Sequence, residues 1–166
     1  VVSLDAAGAG EFARAKEFLA QLPQPVRLIW NGGQRLRVLY DLLDQHGLGV
    51  PANGKGRAVW IALGYALAEG GSHMVALHDS DIVNYEREML ARLCYPIASP
   101  ELNYEFSKGY YSRVNGRIYG RVTRLFVTPL LRALQRVFGC EDVLVFLDSF
   151  RYPLAGEFAL TTDLAR

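Results

Sequence analysis

The run Ala76-Leu77-His78-Asp79-Ser80-Asp81 sets two carboxylates one residue apart at the end of an apolar stretch, where a strand would carry them to the rim of a sheet. One such carboxylate can take a divalent cation that bridges a diphosphate, while its neighbour accepts hydrogen bonds from a ribose or steadies the ligand shell. The commoner use of two acidic residues after a strand is a helix N-cap and a solvated loop, so the pair alone decides nothing. Three other segments carry residue types suited to ligands. Gly54-Lys55-Gly56-Arg57 opens a helix, where free backbone N–H groups, the helix dipole and a lysine between glycines converge on an anion, although the spacing is not that of a P-loop. Gly120-Arg121-Val122-Thr123-Arg124 repeats that logic with a hydroxyl and two guanidinium groups, and suits phosphate or carboxylate. Tyr152-Pro153-Leu154-Ala155-Gly156-Glu157-Phe158 holds one acidic residue in an otherwise apolar stretch; sugar hydroxyls or a structural arginine would each satisfy it. Each segment has a plainer use: an exposed lysine loop, a threonine bonded to its own helix, a buried ion pair. His46, His73 and His78 show no paired ligand spacing and none is assigned to metal, though His78 adjoins the carboxylates.

Positioning these groups falls to alternating elements. After an opening strand, Phe12, Ala15, Leu19 and Leu22 recur at helical spacing until Pro23 and Pro25. Residues 26–30 read as a second strand, and Leu36, Leu39, Tyr40 and Leu43 as the stripe of a second helix closed by Gly47 and Gly49. A turn-rich loop then leads to a helix expected to bury Trp60, Leu63 and Leu67, and residues 74–77 form the strand before the acidic pair. A helix over 85–93, one or two strands over 102–114 and a helix over about 121–138, kinked or interrupted at Pro129, complete the pattern. Tyr104, Phe106, Tyr110 and Tyr111 suit packing on a strand face better than stacking on a base. Such alternation predicts an α/β fold, a mostly parallel sheet with helices on both faces and ligands outside the carboxyl ends of its strands.

Composition excludes several classes. The 166 residues are 51% hydrophobic and suit one domain with a sizeable core. Lys plus Arg number 18 and Asp plus Glu 17, so the net charge of +1 calls for neither nucleic acid nor an anionic membrane. No apolar run is long enough to span a bilayer and no leader pattern is present, which makes the cytoplasm the expected location. Cys94 and Cys140 lack metal-type spacing and read as free thiols in a reducing compartment. The chain opens on Val1-Val2-Ser3-Leu4 without Met and stops at Thr162-Asp163-Leu164-Ala165-Arg166, as though in the first turn of a helix, so further chain is expected at both ends.

The order of the four segments is more specific than any of them. Gly54-Lys55-Gly56 before a helix with Trp60, then Asp79-Ser80-Asp81, then Gly120-Arg121-Val122-Thr123 with Pro129-Leu130-Leu131, then Pro153-Leu154-Ala155-Gly156-Glu157-Phe158, resembles the glucosyl-3-phosphoglycerate synthases from about residue 50 to 158. The resemblance implies a single Rossmann-like GT-A-type domain over 1–166, incomplete at both ends, and metal-dependent, retaining transfer of glucose from a nucleotide sugar, UDP-glucose first, to 3-phosphoglycerate. It implies Mg²⁺ or Mn²⁺ as cofactor, with Asp81 the direct metal ligand and Asp79 facing the nucleoside. Donor contacts fall to Lys55, Asp79, Ser80, Asp81 and Glu157, the last on hydroxyls of the transferred sugar. Acceptor contacts fall to Gly120, Arg121 and Thr123, and Asp81, Glu157 and Arg121 are the expected catalytic groups. A homodimer is implied too, although no segment identifies an interface. The family's base-gripping first strand is expected before Val1 and its metal-ligating histidine after Arg166; His78 before the acidic motif and Tyr119 before Gly120 also depart from the family pattern. The rival readings are a hexosyltransferase with a mannosyl donor or another small-acid acceptor, and a non-catalytic nucleotide-binding or scaffold module whose aspartates only cap a helix.

Overall fold

The computed structural model describes residues 1–111 and 120–166, arranged as two compact units, Val1–Ser72 and His73–Arg166. The loop expected over 115–119 and the end of the aromatic run, 112–114, lie outside the described residues.

In the first unit β1 (Val2–Leu4) and β2 (Leu28–Trp30) pair in parallel, Ser3 opposite Ile29, with α1 (Ala9–Leu19) as the crossover. Glu11 caps α1 by accepting from the Gly8 N–H at 2.7 Å. Phe12 stacks on Trp30 with ring centroids 5.0 Å apart, and the Trp30 indole donates to the Ala7 carbonyl at 2.7 Å, so α1 is fixed to the end of β2. The chain continues through α2 (Gln34–Gln45) and α3 (Lys55–Glu69). Ser3 of β1 links the end of β2 to α3: its hydroxyl accepts from Asn31 Nδ2 at 2.8 Å and donates to the Ala58 carbonyl of α3 at 3.3 Å. Ala58 and Ile61, three residues apart, are the buried face of α3. Trp60 was expected there and is instead exposed, because it stands one residue, about 100°, off that stripe. Leu22 and Leu39 are likewise exposed.

The second unit contains β3 (Met74–Leu77), α4 (Arg87–Ala98), β4 (Phe106–Lys108), a π-helical turn over Thr123–Val127 that runs into α5 (Thr128–Phe138), then α6 (Asp142–Ser149) and β5 (Phe158–Thr161). Its sheet has the order β3-β5-β4, with both pairings antiparallel. The α/β class is met; parallel pairing is confined among the described strands to β1 and β2. The reason is topological: β5 reaches its neighbours only after α4, β4, α5 and α6, so no single helix acts as a crossover between adjacent strands. Ala159 and Leu160 of β5 are buried, as a central strand demands. Phe106, Phe146, Phe150 and Phe158 form an aromatic cluster joining β4 and β5 to α6. Pro129 does not end its helix but stands at the expected interruption, in the first turn of α5 just after the π-helical turn. The widened turn just before it relieves the clash of the proline ring with the preceding turn, and α5 continues.

Cys94 is half-buried and Cys140 exposed, both as free thiols, and burial pushes the Cys94 thiol up. No helix among the described residues is long and apolar enough to cross a membrane.

Candidate functional site

β3 delivers the acidic motif as the sequence predicts. Leu77 is its last residue; Asp79 follows half-buried, and Ser80 and Asp81 are exposed in the turn beyond. Leu77 pairs with Phe158, the first residue of β5, so His78 and Glu157 each lie one step past the last pair, at the same end of the sheet. The structure thereby sets the Asp-Ser-Asp motif and Glu157, far apart in sequence, at the same end of that sheet.

Glu157 is only 2% exposed, and neither carboxylate oxygen has a hydrogen-bond partner among the described residues. Its backbone is held firmly. The Gly109 N–H donates to the Glu157 carbonyl at 2.8 Å, and a Cβ on Gly109 would stand 3.1 Å from that of Glu157, a tight contact that a larger residue makes only by shifting its neighbour. Lys108 donates to the Ala155 carbonyl at 2.7 Å and sits 5.6 Å from the Phe158 ring centroid, pinning the turn that carries Glu157. A buried carboxylate without protein partners is costly and implies a ligand able to donate to it.

The acceptor segment lies against the same turn. Gly120 adopts φ +90°, and a Cβ there would come within 3.9 Å of the Tyr152 ring. Arg121 is exposed in the first helical turn, whereas Thr123 is 6% exposed with a hydroxyl that lacks a partner among the described residues. Within the second unit, then, Gly120 lies near the ring of Tyr152, five residues before Glu157.

Lys55 belongs to the first unit. It is the exposed first residue of α3, capped only by the Gly54 backbone at φ +144°. Two residues on, the Arg57 guanidinium pairs with the Asn53 amide oxygen and lies 4.8 Å from the Tyr40 ring centroid. Tyr40 Oη and Arg57 Nε are sealed from solvent without partners among the described residues. Burial pushes the Tyr40 phenol up, only partly offset by Arg57. Sequence reasoning missed Tyr40 as a polar group, since its place in an apolar stripe reads as packing. Asn31 was also missed: it is 2% exposed, and its Oδ1 has no partner among the described residues.

Asp79 and Asp81 offer hard oxygen donors of the kind Mg²⁺ and Mn²⁺ prefer. Among the described residues no three His, Cys, Asp or Glu side chains gather as a metal cluster, so the pair fits such an ion as part of a coordination shell.

No protein-family model matches the chain. Over all 166 residues it is 52% identical to a glucosyl-3-phosphoglycerate synthase of Persephonella marina, and over 99% of its length it is 41% identical to that of Methanococcoides burtonii. The chain is a homologue of the glucosyl-3-phosphoglycerate synthases. It spans 41% of the length of each of these relatives. Among solved structures it is similar to the glucosyl-3-phosphoglycerate synthase of Mycobacterium tuberculosis in complex with Mn²⁺, UDP-glucose and phosphoglyceric acid, at TM-score 0.54 and 28% identity over 84% of this chain and 39% of that one. The same synthase in complex with Mn²⁺, UDP and glucosyl-3-phosphoglycerate gives TM-score 0.57 and 26% identity over 95% of this chain and 44% of that one. The fold is accordingly that of the synthases, the GT-A-type α/β fold.

Proposed function

We propose that the chain supplies donor and acceptor residues of a retaining, metal-dependent glycosyltransferase that moves glucose from UDP-glucose to a hydroxyl of 3-phosphoglycerate. The observation that carries this reading is the buried carboxylate of Glu157, unpartnered among the described residues, at the same sheet end as the Asp-Ser-Asp motif. Identity along the whole of this chain to part of the synthases supports it, as do the ligands of the Mycobacterium tuberculosis complexes.

In this reading Asp81 ligates Mg²⁺ or Mn²⁺, while Asp79 and Ser80 face the nucleoside side of the donor. A bound metal supplies Lewis-acid neutralisation of the diphosphate leaving group. Lys55 shares that load as a point charge. Glu157 accepts hydrogen bonds from hydroxyls of the glucosyl group and so orients it, and its burial excludes water from that face. Arg121, the Gly120 backbone and the Thr123 hydroxyl hold the phosphate and carboxylate of the acceptor, whose hydroxyl attacks from the leaving-group face. Residues 1–166 act as one GT-A domain, within a cytoplasmic homodimer.

The test is product formation by the full protein with Mg²⁺, UDP-glucose and 3-phosphoglycerate, read by mass spectrometry. Glucosyl-3-phosphoglycerate is the expected product, and Asp81→Asn abolishes metal-dependent UDP binding in calorimetry. No product with UDP-glucose or GDP-glucose overturns the reading, and product only with GDP-mannose or with glycerate replaces donor or acceptor.

A further inference from the structure

We propose that His78 is a second contact for the transferred hexosyl group, acting beside Glu157; the inference rests on the glycosyltransferase reading above. Both ring nitrogens of His78, Nδ1 and Nε2, are shielded from solvent and lack a hydrogen-bond partner among the described residues. The ring packs T-shaped against that of Tyr85, at 5.2 Å between centroids and an interplanar angle of 90°. Strand register puts it beside Glu157. Ala76 pairs with Ala159 and Ala159 with Ser107, so the next row on that face of the sheet, two residues along each strand, is His78, Glu157 and Gly109. The Gly109 N–H to Glu157 carbonyl bond continues the ladder into that row. Its outer member has no side chain, and the row beneath it consists of two alanines and a serine, so the neighbouring row puts no bulky side chain beside the two polar ones.

The chemistry of the pair selects its ligand. A neutral imidazole offers one donor and one acceptor, and an ionised carboxylate offers acceptors only. A phosphate would meet the Glu157 charge, and no third ligating side chain joins the two among the described residues to hold a cation. Hydroxyl groups, which donate and accept at once, satisfy both side chains, and adjacent hydroxyls on a hexose ring match two side chains side by side.

Calorimetry on the full protein with Mg²⁺ compares UDP-glucose and UDP in wild type, His78→Phe and His78→Gln. His78→Phe keeps a flat ring against Tyr85 and removes both nitrogens. It is expected to weaken UDP-glucose about 10-fold with UDP unchanged, and the His78→Gln amide to recover most of the loss. Unchanged UDP-glucose affinity in His78→Phe, or an equal fall for both ligands, overturns the proposal. Should the variants fail to fold, ¹⁵N-histidine spectra of the wild type decide: the His78 ring nitrogens shift on adding UDP-glucose and not UDP, and no such difference overturns it. A wild-type protein that binds neither ligand and transfers no sugar sinks the glycosyltransferase reading instead, and the His78 proposal with it.

Discussion

Glu157 is maintained at a cost to the fold, since a charged group at 2% exposure gains nothing from the described residues around its carboxylate. Glu157→Gln, equal in size and uncharged, should therefore stabilise the protein by about 1–2 kcal/mol, seen as a rise in thermal midpoint. The same variant should lower kcat/KM for glucosyl transfer about 100-fold, because an oriented hydrogen-bond acceptor for the sugar is lost. A fall in both quantities would mean that the carboxylate is a structural partner and not a ligand group. At this scale the sequence was partly legible. A lone acid between Gly156 and Phe158 stands out in one dimension, as do Asp79 and Asp81 after an apolar run. Tyr40 and Asn31 do not, and His78 stands out only by adjoining the acidic motif, because what marks all three is polar atoms left unpartnered after packing, and packing is a long-range property.

Among elements, the β4 end and the turn before α5 set the site's tolerances. Gly109→Ala would press a methyl group to 3.1 Å from the Glu157 Cβ, just before β5, the central strand of its sheet. Urea denaturation should register about 1–2 kcal/mol of destabilisation, with a larger proportional loss of activity as Glu157 is displaced. The π-helical turn makes a different prediction. Pro129→Ala removes the clash that widens it, and reversion to regular α-helix turns the residues before it by about 100° relative to α5. Arg121 and Thr123 would then be re-aimed, so KM for 3-phosphoglycerate should rise about 10-fold with thermal stability unchanged or higher. The strand over 74–77 was readable because a short apolar run ended by turn residues is a local signal. β5 was not read as a strand, since its four residues gain their identity from β3 and β4 on either side. The π turn was invisible for a related reason: proline announces a disturbance without saying which of kink, stop or bulge will absorb it.

Across the molecule, the groups assigned to the donor are divided between two compact units, Lys55 in the first and Asp79, Asp81 and Glu157 in the second, while Gly120, Arg121 and Thr123 all lie in the second. Steady-state kinetics should separate them. Lys55→Ala is expected to raise KM for UDP-glucose about 10-fold and leave that for 3-phosphoglycerate alone, and Arg121→Ala to do the reverse. Loss of both affinities in either variant would contradict the division of roles. The alternation of strands and helices announced the α/β class because it recurs along the chain; the antiparallel second sheet stayed hidden because direction is decided by which distant strands meet. That same sheet has a bearing on biosynthesis. β5, the last of the described strands, lies between β3 and β4, and neither of those pairs with any other described strand. Until residues 158–161 leave the ribosome, β3 and β4 lack the partner they share among the described strands, so the nascent second unit is exposed to mispairing while residues 109–157 are made.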